Sequence, residues 1–126
     1  MIDQKEYGNP YRFIPNDEGL YLDPEIDLNG TSLRGHLYMD YEKLCEVFGP
    51  PNCDGSGDNK TDVEWHGTIN GEVFNIYNWK NGPAYLGQDG TPVQWIKEWN
   101  VGAKSYNTYL GLDEYISKKL EGENHE

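Results

Sequence analysis

The 126-residue chain is strongly acidic, with 22 Asp and Glu residues against 10 Lys and Arg residues and a formal net charge of −12. Four tryptophans and ten tyrosines are interleaved with the acids, and such large apolar rings build a core, so we predict a folded domain rather than a disordered acidic tail. A surface of this charge repels nucleic acid and attracts basic protein surfaces, and the sequence predicts neither a signal peptide nor a membrane-spanning segment.

The first 30 residues are predicted to form an extended N-terminal arm. Prolines interrupt this stretch, and its apolar residues hold no helical period. The aromatic residues among them argue against a free tail, so we expect the arm, residues 1–30, to pack on the domain with a short strand near residues 19–22. The domain itself is predicted over residues 31–121, followed by a frayed tail over residues 122–126.

A strand and a short helix follow the arm. The strand is predicted over Leu33–Met39 and ends at Asp40, a good N-cap residue for the helix. Apolar residues recur at helical spacing from Tyr41 to Phe48. Gly49 stops the helix, and a polar, glycine-rich loop is expected over residues 52–60.

The central segment has the pattern of a β-hairpin. Thr61–Ile69 alternates between apolar and polar residues, Asn70-Gly71 favours a type I′ turn, and Val73–Trp79 returns as the partner strand. Large apolar residues occur on both faces of this hairpin, so we expect it to be covered on both sides. The candidates for the second cover are the arm, the loop over residues 80–94 and a partner subunit.

A third strand and a final helix complete the domain. The strand is predicted over Trp95–Val101 and ends at Gly102, and the helix is predicted over Lys104–Leu120 with Gly111 weakening its middle. The predicted order is β-α-β-β-β-α. This is an α+β fold in which a small antiparallel β-sheet carries two helices on one face.

No motif predicts catalysis or a cofactor. The loop from Asp54 to Asp62 alternates oxygen side chains like a calcium loop, but its spacing fails the helix-loop-helix pattern and favours a solvated turn. His36 and His66 lack the partners of a zinc site, and no nucleophile is recognisable beside His66 and Glu64. We therefore expect a non-enzymatic protein with no metal or other cofactor.

The two cysteines, Cys45 and Cys53, lie close together in the sequence. A disulfide between them would close only a short loop, and two reduced thiols of a cytoplasmic protein are the favoured interpretation. The sequence does not decide whether they pair.

The stretch from Thr31 to Ala103 resembles a family of small, mostly uncharacterised proteins encoded by tailed phages. The shared pattern is T-S-L-x-G, a Tyr-x-x-Leu helix ending in F-G-x-P, a Lys-started strand with Glu-Trp, a strand with Ile-Tyr-x-Trp and a closing W-x-V-G. The matching residues are Thr31, Ser32, Leu33, Gly35, Tyr41, Leu44, Phe48, Gly49, Pro51, Lys60, Glu64, Trp65, Gly71, Ile76, Tyr77, Trp79, Trp99, Val101 and Gly102. The family's final glycine is replaced here by Ala103. The resemblance implies a phage or prophage protein expressed in the bacterial cytoplasm, and it brings no catalytic residue.

Charge and resemblance together predict an acidic phage-type protein that binds and inhibits a basic host factor, either a defence protein or one that handles nucleic acid. Its carboxylates would occupy the positions on the host factor where phosphates would otherwise bind, and its exposed aromatic residues would anchor the partner. The residues selected for partner binding are Asp54, Asp58, Asp62, Glu64, Tyr77, Trp79 and Trp95. A second set lies in the arm: Asp17, Glu18, Asp23, Glu25 and Asp27.

A different class of function remains as the alternative, namely a domain that binds or sequesters a small molecule, for example a nucleotide signal, in an aromatic-lined groove. An anionic ligand would meet an anionic surface there, and the cations able to counter it are Arg34, Lys43, Lys60 and Lys80. A homo-oligomer also fits a hairpin that is apolar on both faces.

Overall fold

The computed structural model describes residues 19–55 and 57–124, and side chains as far as residue 121. The strands are β1 (Leu20–Leu22), β2 (Ser32–Tyr38), β3 (Cys53–Asp54), β4 (Val63–Ile69), β5 (Glu72–Tyr77) and β6 (Glu98–Ala103). The helices are α1 (Tyr41–Phe48), α2 (Pro83–Leu86) and α3 (Tyr106–Asn124), with 3-10 segments at Gly87–Asp89 and Val93–Trp95.

The strands form one antiparallel sheet in the order β1-β4-β5-β6-β2. Strand β3 pairs with the first residues of β4, while β1 pairs with its last residues, so both lie along the same edge of β4. Phe48 of α1 contacts both Phe74 of β5 and Tyr115 of α3, with ring centroids 6.1 Å apart in each pair. The two long helices therefore cover the same face, and the predicted α+β class is confirmed.

The core lies between that face of the sheet and the helices. Alternate strand residues point into it, and its largest members are Trp65 and Trp99, which are fully buried and meet edge to face at 5.5 Å. On β5, Phe74 and Ile76 enter the core, whereas Tyr77 lies half-buried on the opposite face. Burial of this much aromatic surface is the main stabilising contribution in a domain of this size.

The hairpin turn between β4 and β5 is confirmed. Asn70 and Gly71 have φ values of +53° and +84°, and a type I′ turn requires positive φ at both central residues. Gly111 does not split the last helix, because α3 runs unbroken from Tyr106 to Asn124. Helix α3 also continues beyond residue 121, where the domain was expected to end.

The third predicted strand was misplaced. Residues 93–95 form a 3-10 turn after Pro92, and β6 begins only at Glu98. It continues through Gly102 to Ala103, because this glycine lies opposite Asn75. A Cβ at position 102 would clash with Asn75 Oδ1, so the absence of a side chain lets the two strands approach.

Two short elements were not predicted, β3 and α2. Each is shorter than the window over which hydrophobic periodicity can be recognised. Of the predicted arm, the short strand is present as β1, and residues 23–31 form turns without regular structure. Residues 1–18, including Asp17 and Glu18 of the second acidic set, lie outside the described residues. Within the described part of the chain, none of the helices combines the length and the apolar character needed to cross a bilayer.

Candidate protein interface

Two of the selected acids lie on the surface. Asp54 is exposed in β3. Asp58 is exposed in the following loop, where its Oδ2 lies 3.6 Å from Lys60 Nζ and its Oδ1 accepts a hydrogen bond from the Lys60 N–H. Their carboxylates are therefore presented to solvent, as a surface that meets a basic partner requires.

Asp62 has a structural role at the beginning of β4. Its Oδ1 accepts a hydrogen bond of 2.9 Å from Asn78 Nδ2, and its Oδ2 accepts one of 2.9 Å from the Ala84 N–H in α2. A Cβ at Gly82 would clash with the same carboxylate, which explains the glycine at that position. Asp62 thus holds the loop after β5 against the sheet.

Glu64 is buried, with 9% of its surface exposed. Its Oε2 accepts a hydrogen bond of 2.8 Å from the Thr61 hydroxyl, and its Oε1 lies 2.6 Å from His66 Nε2. The other ring nitrogen of His66, Nδ1, lies 3.3 Å from Cys53 Sγ. This hydrogen-bonded chain joins β3 to β4, and it removes Glu64 from the surface that a partner could reach.

The thiol of Cys53, the last member of this hydrogen-bonded chain, is not an activated nucleophile. Burial raises its pKa to about 11, and the carboxylates of Glu64, Asp54 and Asp23 add to the increase. A nucleophilic cysteine needs a lowered pKa. Neither Cys45 nor Cys53 forms a disulfide, and among the residues with a described position no group of three His, Cys, Asp or Glu side chains is arranged to hold a metal ion.

Trp79 is 44% exposed and forms a cluster with cations of its own chain. Lys60 Nζ lies 5.7 Å and Lys80 Nζ 5.4 Å from the centroids of its rings, and Lys80 also lies 5.4 Å from the Tyr85 ring. Tyr77 packs edge-on against Trp79 at 6.1 Å. The structure therefore brings Tyr77, Trp79 and, through Lys60, Asp58 together.

Trp95 lies elsewhere, at the rim of a groove of about 540 Å³. Tyr38 lines the same groove, and Trp95 and Tyr38 are the most exposed aromatic residues of the described chain, at 69% and 74%. The groove runs between the ends of β2 and β6 and the loop that precedes β6. Its lining residues are Tyr38, Met39, Asp40, Asn81, Thr91, Trp95, Ile96, Lys97 and Glu98.

Hydrogen bonds to backbone carbonyls hold the floor of this groove in place. The Met39 N–H donates to the Lys97 carbonyl at 3.0 Å, and the buried Trp99 indole donates to the Met39 carbonyl at 3.0 Å. On the other side, the Trp95 N–H donates to the Pro92 carbonyl at 2.8 Å and closes the 3-10 turn. The turn points Trp95 outward while the next residue, Ile96, is buried as the floor.

The charged residues of the groove are two acids and one lysine. Asp40 occupies the predicted N-cap position of α1, but its side chain makes no capping bond and instead accepts a hydrogen bond of 2.8 Å from Lys97 Nζ. Glu98 lies opposite Tyr38 in the β2–β6 register and has no ion-pair partner among the described residues. The groove therefore carries a net negative charge.

Sequence reasoning selected Trp95 but missed Tyr38, Asp40 and Glu98. A sequence signal for Tyr38 exists, because alternation in the predicted strand puts it on the face opposite to that of the apolar Leu37. The pairing of β2 with β6, which brings Glu98 beside it, depends on long-range topology that no local pattern shows. Comparison of the chain with known protein families, with curated proteins and with solved structures gave no match.

Proposed function

We propose that this protein is a non-enzymatic, phage-type binding protein that captures and inhibits a basic host protein. The observation that carries the proposal is the groove between Tyr38 and Trp95. Among the described residues, it combines the two most exposed aromatic side chains with Glu98, a carboxylate that has no ion-pair partner there, in a chain of net charge −12. Large exposed aromatic residues beside a charged rim are typical of protein-binding surfaces.

Charge and aromatic surface would contribute to binding in different ways. The excess of carboxylates speeds the encounter with a basic surface over a distance set by the ionic strength. Aromatic anchors such as Trp95 supply the desolvated contacts that slow dissociation. Both contributions fit a partner that normally binds nucleic acid, because such proteins carry basic surfaces.

The residues that would serve this function are fewer than the sequence indicates. Asp54 and Asp58 remain as exposed acids, and Trp79 and Trp95 remain as exposed aromatic residues. Glu64 is buried, and both oxygens of the Asp62 carboxylate accept hydrogen bonds within the domain. We therefore leave Asp62 and Glu64 out of the proposed binding surface.

The proposal is tested by exposing the tagged protein to a bacterial lysate and identifying the captured proteins after washes at about 50 mM and about 500 mM salt. The result expected is one basic protein that is retained at low salt and released at high salt. Charge reversal at one acid of the groove and one exposed acid of the loop after β3, Glu98→Lys with Asp58→Lys, should lower its capture at least about fivefold.

A control with the same change of net charge is Glu114→Lys with Glu121→Lys, on the exposed side of α3. It should lower capture less than the first pair does, because it reverses charge away from the proposed surface. Equal losses from both pairs would show that net charge alone attracts the partner. Capture of nothing basic by the unchanged protein would contradict the proposed function.

A further inference from the structure

We infer that the groove between Tyr38 and Trp95 binds an arginine side chain of the basic partner. This inference rests on the proposed function and assigns the chemistry of its central contact. It commits the groove to a guanidinium group that stacks on the aromatic rim and forms an ion pair with the carboxylate of Glu98.

The exposed aromatic residues differ in whether a lysine of the same chain lies over the ring. Trp79 and Tyr85 already have ammonium groups of Lys60 and Lys80 over their rings, at 5.4 to 5.7 Å. In the part of the chain that the structure describes, no lysine or arginine lies over Trp95 or Tyr38. The ring of Trp95 is thus available to a cation from another molecule, and tryptophan is the strongest such acceptor, whereas the Tyr38 ring also meets the His36 ring at 6.0 Å.

The carboxylates favour a cation in the same place. Lys97 is engaged by Asp40 at 2.8 Å, so it leaves Glu98 without a partner in the groove. An arginine that stacks on Trp95 could direct its planar N–H donors to this carboxylate. Arginine suits both contacts at once, because its guanidinium stacks on rings and forms two parallel hydrogen bonds, whereas the ammonium of lysine is a compact point charge.

The same charges disfavour a nucleotide in this groove. Its phosphates would meet Asp40 and Glu98, and the single lysine there is already paired. At about 540 Å³ the groove is large enough for a guanidinium, its aliphatic stem and part of the adjoining backbone. An extended basic segment of a partner protein could therefore place one arginine between Tyr38 and Trp95.

The test measures the binding of three probes to the whole protein: a blocked hexa-arginine peptide, a blocked hexalysine peptide of equal charge, and ATP. Affinity is measured by calorimetry at low salt, and the indole N–H resonances of the four tryptophans report the position of the ligand. We expect hexa-arginine to bind more tightly than hexalysine. It should shift the Trp95 resonance while leaving that of Trp65 in place, because the buried Trp65 indole donates to the Gly49 carbonyl away from the groove.

Two variants and one control locate the contact. Trp95→Ala should weaken hexa-arginine binding about five- to tenfold, and Glu98→Gln should weaken it about threefold without altering the aromatic rim. Tyr106→Ala removes an exposed aromatic side chain on α3 and should change the affinity little. If Trp95→Ala disturbs the turn before β6, Glu98→Gln still tests the site, because it changes only an exposed side chain of β6.

The remaining outcomes separate the failure of this inference from the failure of the proposed function. Equal affinity for the two peptides, with no effect of Trp95→Ala or Glu98→Gln, would overturn the arginine site and leave a charge-driven binding protein. A Trp95 shift with ATP and none with hexa-arginine would overturn it in favour of a nucleotide site. Absence of binding by both peptides at low salt would count against the proposed function itself.

Discussion

Glu64 Oε1 lies 2.6 Å from His66 Nε2 on strand β4, so an acid selected for partner binding is part of the internal structure. Its other oxygen accepts the Thr61 hydroxyl, and the histidine continues the contact to Cys53 on β3. A negative charge in the sequence is therefore not the same as a negative charge on the surface. The acidic character available to a partner depends on which carboxylates the fold leaves exposed.

Replacement of Glu64 should destabilise the domain. Glu64→Gln removes the charge of a buried carboxylate that accepts bonds from both Thr61 and His66, so we expect the free energy of unfolding to fall by about 1–3 kcal/mol. The measurement is chemical denaturation followed by tryptophan fluorescence. The control is Asp54→Asn, an exposed acid in the neighbouring strand, which should change stability by less than about 0.5 kcal/mol. Equal effects of the two substitutions would contradict the structural role of Glu64.

The stability of the protein should decrease at alkaline pH partly because of Cys53. Burial, followed by nearby carboxylates, raises its pKa from 9.0 to about 11 in the folded protein. The unfolded chain therefore releases this proton at lower pH than the folded chain does. Its contribution to the free energy of unfolding is fully present below pH 9 and is lost as the pH rises through about 11.

Comparison of the native protein with Cys53→Ala isolates this contribution. Denaturation at about pH 8 and at about pH 11 should show a smaller loss of stability in the variant, because it has no thiol to ionise. Burial also raises the pKa of Tyr41 to about 12, so both proteins retain part of the alkaline loss. An identical loss in the two proteins would show that the Cys53 pKa is not raised.

Two glycines should respond to alanine in opposite directions. Gly67→Ala would place a Cβ in contact with the backbone carbonyl of Tyr21, so β1 must shift away from β4 and stability should fall by at least about 1–3 kcal/mol. Gly111→Ala lies within α3, where a Cβ would meet no atom within 4 Å, and it should raise stability by about 0.5–1 kcal/mol. Thermal unfolding of both variants checks the pair, and a stabilising Gly67→Ala would contradict the close contact of β1 with β4.

The fold was predictable where local patterns determine it. Alternation over residues 61–69, the Asn70-Gly71 turn and the helical spacing of α1 each depend on neighbours in sequence, and the structure confirms all three. The position of β6 was wrong because Trp95, an aromatic residue typical of strands, belongs to the turn that begins at Pro92. Local propensity was overridden there by the geometry of the turn.

The candidate site was predictable only in part. Trp95 and Trp79 could be selected as large aromatic residues, and the structure places both on the surface. The partners of Trp95 come from the ends of β2 and β6, which are joined only by long-range pairing. The sequence also could not predict which acids are exposed. Glu64 is buried and bonds with Thr61 and His66, and those contacts form only in the folded strand.

The most direct test of the central claim is the salt dependence of the affinity for the basic protein captured from the lysate, measured with the purified pair. A surface that binds through carboxylates should lose most of its affinity between about 50 mM and about 500 mM salt, and Trp95→Ala should weaken binding at both concentrations. Affinity that stays constant with salt and with Trp95→Ala would contradict the account.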